Sequence, residues 1–186
     1  MTATRFPTMR DLYDEFPTLM NSAKLVPGND EPVAFVRRMA DEGKLREAVA
    51  ICAFLLRRRE AVWWACQCLR SKPGLAGPDD QAILAAEHWA RAPSEEARDI
   101  AAKWGVAGDQ AGPTTWAAHA AGYSGGSVGV GVDGPIRVPP HLTAESARVA
   151  LLLCETRLPM QEIPDFQHEC IDAALRLLTA PRQSGQ

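Results

Sequence analysis

The chain has 186 residues, of which 46% are hydrophobic, and a formal net charge of −3 at pH 7. This length predicts one domain that can bury a core without disulfides or metal ions, and the apolar fraction is that of a globular protein rather than a disordered one. The net negative charge argues against a general affinity for nucleic acid or for anionic membranes.

Helices are predicted along the whole chain, because alanine is frequent, β-branched runs are scarce, and apolar residues recur at three- and four-residue spacings. In the first half we predict helices over residues 9–16 and 31–41, the second of them capped by Asp30. Residues 44–56 and 58–70 follow as two helices or as one long bent helix.

In the second half the helical patterns are separated by Gly, Pro and Ser, and Gly105 is expected to end one of them. The helices predicted there cover residues 78–91, 94–104, 113–123, 143–158 and 164–178. About eight helices with short connections indicate an all-α fold, either an α-solenoid-like stack or an orthogonal helical bundle. We expect one helical domain over residues 1–180 and a disordered tail over 181–186.

The most distinctive stretch is RRREAVWWACQCLR at residues 57–70. On a helix, Trp64 shares one apolar face with alanines and Cys68, which predicts that this tryptophan is part of the core. Trp63 lies at the edge of that face. It is the residue of this stretch that an exposed stacking role would suit.

Arginines open the same stretch at the N-terminal end of a predicted helix, where the helix dipole disfavours positive charge. We therefore interpret them as a solvated helix start or as members of ion pairs with acidic partners. These arginines are Arg57, Arg58 and Arg59.

The other tryptophans, Trp89, Trp104 and Trp116, each lie on a helix otherwise lined by alanine. Large rings packed against small residues predict core positions for all three. An exposed tryptophan that anchors a partner is the alternative.

One connection, SGGSVGVGVDGPIRVPPH at residues 124–141, is longer than ordinary loops, and such loops are often functional. Its valines and Ile136 alternate with other residues, so it is either a loop or a short β-hairpin to which a partner strand could pair. The segment GVGVDG at 129–134 matches a dinucleotide-binding glycine pattern, but no helix follows it and no βαβ unit surrounds it.

No metal ion or cofactor is expected. The odd number of cysteines and their apolar, helical surroundings are typical of reduced cytosolic thiols. Cys66 and Cys68 are two residues apart on a helix and therefore point in different directions. The chain lacks an apolar secretory signal at its start and any apolar run of membrane-spanning length, so we expect a cytoplasmic protein without membrane insertion.

Two alternatives to a binding module stay open. An enzyme could assemble a site from the scattered polar residues Glu60, Glu87, His88 and His119, although no catalytic motif joins them. A nucleic-acid-binding domain would need Lys and Arg on one face with Trp63 exposed, and it is not expected.

Three segments carry a resemblance: RRREAVWWACQCLR (57–70), AAEHWARAPSEEARDIAAKWG (85–105) and WAAHAAGYSGGSV (116–128). Together they resemble an uncharacterised bacterial helical family that is associated with type VI secretion gene clusters. The resemblance covers about residues 30–155 and implies no catalytic residue. It implies a cytoplasmic accessory role, as an adaptor or chaperone for a secretion cargo or spike component.

The sequence therefore predicts a non-enzymatic module for protein–protein interaction. The candidate partner surface combines the arginines, the edge tryptophan and the long loop. Its residues are Arg57, Arg58, Arg59, Trp63, Tyr123, Val128, Val130, Val132 and Ile136.

Overall fold

The computed structural model describes residues 5–131 and 134–181. Within these ranges the chain forms nine α-helices and one pair of short strands, which confirms the all-α class. The helices are α1 (Met9–Glu15), α2 (Pro32–Asp41), α3 (Leu45–Leu55), α4 (Arg58–Arg70), α5 (Gln81–Arg91), α6 (Glu95–Ala107), α7 (Pro113–Gly122), α8 (Leu142–Glu155) and α9 (Ile163–Thr179). The strands are β1 (Ser127–Gly131) and β2 (Gly134–Arg137), and 3₁₀ turns cover Pro17–Asn21 and Met160–Glu162.

The described chain divides into two compact units. The first unit takes residues 5–57 and 164–181, and so contains α1, α2, α3 and nearly all of α9. The second takes residues 58–163, with α4 to α8 and both strands. A single domain over residues 1–180 stays a prediction, and the predicted tail lies, from residue 182 onward, outside the described residues.

Aromatic rings hold the start of the first unit together. The Phe16 ring meets the Phe6 ring edge-on at a centroid distance of 5.9 Å and the Phe54 ring at 5.3 Å, a geometry that ring quadrupoles favour. Tyr13 is buried, and its hydroxyl donates to the carbonyl oxygen of Ala23 at 2.9 Å. Burial raises the pKa of Tyr13 to about 12, so this donor stays protonated.

In the second unit, α7 is the central helix and packs against α4, α5, α6 and α8. All of its residues except Trp116 are buried. Most of them are Ala, Gly or Thr, and small side chains allow neighbouring helices to approach closely.

α6 and α7 approach each other closely. A Cβ atom added to Gly122 would lie 2.8 Å from the Cα atom of Ala102, and one added to Gly105 would lie 2.8 Å from Nδ1 of His119. Real Cβ atoms do not come this near, so packing requires glycine at both positions. Gly105 lies inside α6, which continues to Ala107, so the predicted helix end at residue 104 is wrong.

Two helix starts also differ from prediction, and in both a carboxylate nearer to the helix supplies the cap. The carboxylate of Glu31 caps α2, whereas Asp30 hydrogen-bonds to Arg38 at 2.9 Å. Asp80 caps α5 by accepting hydrogen bonds from backbone N–H groups, so this helix begins at Gln81 rather than at residue 78.

Replacing Gly122 with Ala is expected to lower the free energy of unfolding by about 1–3 kcal/mol, the usual effect of overpacking. The added methyl group meets the backbone of Ala102, which cannot rotate away as a side chain can. Urea unfolding followed by circular dichroism measures the change.

Gly77→Ala is the matched control, because nothing lies within 4 Å of the added Cβ atom. Its backbone does not have a positive φ either, so this change should be neutral or stabilising by less than about 1 kcal/mol. Equal stability of the two variants would contradict the close approach of α6 and α7.

Candidate interaction site

The long connection after α7 forms a β-hairpin, one of the two predicted alternatives. β1 and β2 are antiparallel and pair Gly129 with Ile136, Val130 with Pro135, and Gly131 with Gly134. Ile136 is 50% exposed, and the residue opposite it is a glycine without a side chain to cover it. The predicted Val132 lies outside the described residues.

The base of the hairpin is anchored by hydrogen bonds. Nη1 of Arg58 donates to the carbonyl oxygen of Ser124 at 2.8 Å, and the Thr143 hydroxyl donates to that of Tyr123 at 3.0 Å. The backbone N–H of Val138 donates to the carbonyl oxygen of Gly126 at 3.2 Å, which closes the base. Thr143, the first residue of the helix predicted over 143–158, lies inside α8, and its hydroxyl binds the backbone just after α7.

Gly126 has a φ of +78°, in the left-handed region that favours glycine. A Cβ atom there would also lie 3.1 Å from Cζ of Arg98, so the guanidinium packs directly against the backbone. The positive φ and the close guanidinium both explain why residue 126, just before β1, is a glycine.

Arg59 caps a helix end. Its Nε donates to the carbonyl oxygen of Ala90 at 2.6 Å and its Nη2 to that of Arg91 at 3.1 Å. These carbonyls belong to the last turn of α5, where backbone oxygens lack helical partners and the dipole favours cations. Arg58 and Arg59 are exposed, as expected for a solvated helix start, and the hydrogen-bond partners given for them are carbonyl oxygens rather than acidic side chains.

The tryptophans divide between core and surface. Trp64 and Trp89 are buried, as predicted. Trp63 is half-buried, and the guanidinium of Arg91 lies 5.3 Å from its ring centroid, so one face of the predicted stacking residue is already occupied. Trp104 is 40% exposed, and its predicted core position is wrong.

Three residues of the enzyme alternative, Glu87, His88 and His119, have separate surroundings. Both carboxylate oxygens of Glu87 accept hydrogen bonds from Arg70, at 3.0 Å and 3.1 Å, and the Arg91 guanidinium lies 3.8 Å away. His88 is exposed, while Glu87 beside it is buried. None of these contacts joins Glu87 to His88 or to His119.

His119 lies in a stack of rings. Its ring is nearly parallel to that of Tyr123 at a centroid distance of 5.3 Å, and it meets the Trp116 ring at the same distance. Nε2 is 3.2 Å from Oε1 of Gln110. Burial lowers the pKa of His119, so the imidazole is neutral at pH 7 and acts here as a packed ring.

The cysteines are buried, and none of them takes part in a disulfide in the part of the chain that the structure describes. Burial raises the pKa of Cys66 far above its usual range, with a further contribution from the Glu87 carboxylate, and burial raises the pKa of Cys154 to about 12. Protonated thiols are poor nucleophiles and poor metal ligands. In residues 5–131 and 134–181, no three His, Cys, Asp or Glu side chains are grouped as a metal site requires.

A cleft of about 360 Å³ opens where the N-terminal ends of α5 and α7 meet the end of α6. Sequence reasoning missed it, because its lining residues are distant in the chain and match no motif. The polar and aromatic ones among them are Asp80, Gln81, Trp104, Asp109, Thr114, Thr115 and Arg157.

These features define an all-α protein whose second unit carries an anchored β-hairpin. A family model described as a family of unknown function, DUF6931, matches residues 35–178. Because this match covers more than half of the chain, the protein belongs to that family, in agreement with the expected resemblance to an uncharacterised helical family. No curated protein and no solved structure matches the chain. Of the helices described, none is both long and apolar enough to cross a membrane.

Removing Arg70 is expected to destabilise the protein strongly, because Glu87 would be left as a buried carboxylate without its bidentate partner. Arg70→Met should lower the free energy of unfolding by about 3 kcal/mol. Arg38→Met is the control, since it breaks the exposed ion pair with Asp30 and should cost less than about 1 kcal/mol. Similar losses for both variants in chemical unfolding would show that burial of Glu87 does not matter.

Acidification is expected to destabilise the protein through His119. Its folded-state pKa is lowered by burial below 6.5, so the unfolded chain takes up a proton first. Stability is then lost as the pH falls below the unfolded-state value, until the folded-state pKa is passed.

Unfolding free energies at several pH values between about 7.5 and 5 measure this slope. His119→Asn should flatten it, whereas His88→Asn, at an exposed position, should leave it unchanged. If both variants show the same pH dependence of the unfolding free energy as the unmodified protein, His119 is not its cause.

Proposed function

We propose that this protein is a non-catalytic binding module that presents its hairpin to an extended segment of a protein partner. The observation that carries the proposal is an anchored base combined with an exposed apolar side chain on β2. Hydrogen bonds from Arg58 and Thr143 hold the base, while Ile136, which no cross-strand side chain covers, is half exposed.

Anchoring favours binding because a segment that is already ordered loses less conformational entropy when a partner contacts it. A hairpin without anchors would be marginal in water, since two strands alone rarely form a stable sheet. The hydrogen bonds from α4 and α8 supply what the two strands lack.

The mode of binding that suits this surface is the addition of a partner strand. The sheet described has two strands, so each strand has one edge that pairs with no other strand of the sheet. An extended peptide can pair with such an edge through its backbone and place an apolar side chain against Ile136.

The resemblance in the three segments quoted above supports a finer proposal, in which the module is a cytoplasmic accessory of type VI secretion. In this role the partner is a secretion cargo or a spike component, and the protein acts as its adaptor or chaperone. The contacts of Glu87 and His119 offer no support to the enzyme alternative.

A photo-crosslinking amino acid at position 136 of the full chain, expressed in the native host, tests the proposal. The same probe at Val26, which is 93% exposed in the first unit, is the control. We expect a discrete protein adduct from position 136 and none from position 26. Equal labelling from both positions, or no adduct from 136, would count against the hairpin.

The identified partner then allows a quantitative test. Ile136→Asp should weaken its binding about tenfold or more, because burying an isoleucine side chain contributes about 1.5–3 kcal/mol. Val26→Asp should not change the affinity. The unfolding temperature of Ile136→Asp should stay near that of the unmodified protein, since the side chain is half exposed.

A further inference from the structure

The cleft in the second unit combines features that point to a small ligand. Its walls come from four places in the chain: the loop and N-terminal end of α5, the C-terminal end of α6, the N-terminal end of α7, and Arg157 after α8. The volume of about 360 Å³ is at the lower end of the range for small-molecule sites.

The N-terminal end of α7 has no side-chain cap. Its N-cap residue is Gly112, and Pro113 follows in the first turn. The first backbone N–H groups of a helix have no partner within the helix, and together with the helix dipole they favour a bound anion.

A second and independent feature is a pair of threonine side chains, largely buried, whose hydroxyls line the cleft. Thr114 is 7% exposed and Thr115 is 3% exposed, and both line the cleft. Among residues 5–131 and 134–181, no hydrogen bond involves either hydroxyl. Because neither oxygen is a fully buried atom, both hydroxyls can be reached from the cleft and can donate to or accept from a ligand there.

Glycine keeps space open at one of these hydroxyls. A Cβ atom on Gly108 would come within 2.5 Å of Oγ1 of Thr115, and one on Gly112 would lie 3.1 Å from it. Any larger residue at either position would crowd the hydroxyl.

Arg157 brings a positive charge to the same end of α7. Its Nη2 donates to the carbonyl oxygen of Ala111 at 2.9 Å, one residue before the N-cap Gly112. A guanidinium has five N–H donors, so this bond leaves others for a carboxylate.

Two carboxylates provide the opposite charge. Oδ1 of Asp109 accepts from the N–H of Ala111 at 3.0 Å, and Oδ1 of Asp80 accepts from the first turn of α5. In each carboxylate the second oxygen, Oδ2, is left to accept from a ligand. Among the salt bridges of the described residues, none joins Asp109 or Asp80 to Arg157, so charges of both signs line one cleft without neutralising each other by direct contact.

We propose that this cleft binds a free α-amino acid with an apolar side chain. The carboxylate of the ligand lies against the N–H groups and hydroxyls of Thr114 and Thr115, with Arg157 beside it. Its ammonium group lies against Asp109 and Asp80. The side chain packs on Leu75 and on Trp104, which explains why this tryptophan is exposed.

Calorimetric titration of the full chain with L-leucine, L-methionine and L-phenylalanine tests the proposal. We expect saturable binding of at least one of them with a Kd below about 1 mM. Leucinamide lacks the carboxylate and N-acetyl-leucine lacks the ammonium group, so each should bind at least about tenfold more weakly than leucine. Absence of binding by all three amino acids, or binding of N-acetyl-leucine equal to that of leucine, would overturn the proposal.

Variants locate the site. Thr114→Val keeps the shape of the side chain but removes the hydroxyl, and Asp109→Asn removes one negative charge; each should weaken binding about tenfold. Glu96→Gln, on an exposed part of α6 that does not line the cleft, is the control and should not change the affinity. Unchanged binding by both Thr114→Val and Asp109→Asn would exclude this cleft.

Thermal unfolding of each variant shows that a loss of binding does not come from misfolding. Ile136→Asp, which alters the hairpin, should bind the amino acid as the unmodified protein does. The two proposals can therefore fail separately.

Discussion

The contact on which the second unit depends is the close approach of α6 to α7. It brings backbone against backbone at Gly122 and Ala102 and places the ring of His119 directly over Gly105. Dispersion contacts at such distances are individually weak but numerous, and interiors packed this tightly do not deform continuously. The position of α7 is consequently well determined, and both candidate sites begin at its ends: the cleft at Pro113 and the hairpin just after Gly122.

A second theme is the use of arginine to satisfy carbonyl oxygens where helices and loops end. Arg58 donates to Ser124, Arg59 to the last turn of α5, and Arg157 to the turn before α7. A guanidinium can donate several hydrogen bonds in one plane, which suits groups of exposed carbonyls. The arginine-rich start of α4 therefore connects α4 to other elements of its unit, although in the sequence it has the composition of a basic surface patch.

Much of this fold could be predicted from local patterns. The helical periodicity around Trp64 identified a core face, and the alternation in residues 124–141 gave a hairpin as one of two alternatives, because both patterns depend on neighbours within a few residues. Predictions failed where a distant partner decides the outcome. Gly105 has a low helix propensity, which predicts a helix end. In the structure it lies within α6, where the absence of a side chain leaves room for the ring of His119. The cleft escaped prediction for the same reason, since its walls meet only after α5, α6 and α7 have packed.

The two candidate sites differ in how they use burial. At the hairpin, Arg58 and Thr143 donate to backbone carbonyl oxygens at the base, and the exposed group is the apolar side chain of Ile136. In the cleft the situation is reversed, because the hydroxyls of Thr114 and Thr115 make no hydrogen bond among the described residues, and no salt bridge there joins Arg157 to Asp109 or Asp80. Apolar surface without cover favours another protein, whereas polar groups without partners favour a small polar ligand that can satisfy them in a confined volume. One helix with well-packed sides can therefore support a surface for a macromolecule at one end and a site for a small molecule at the other.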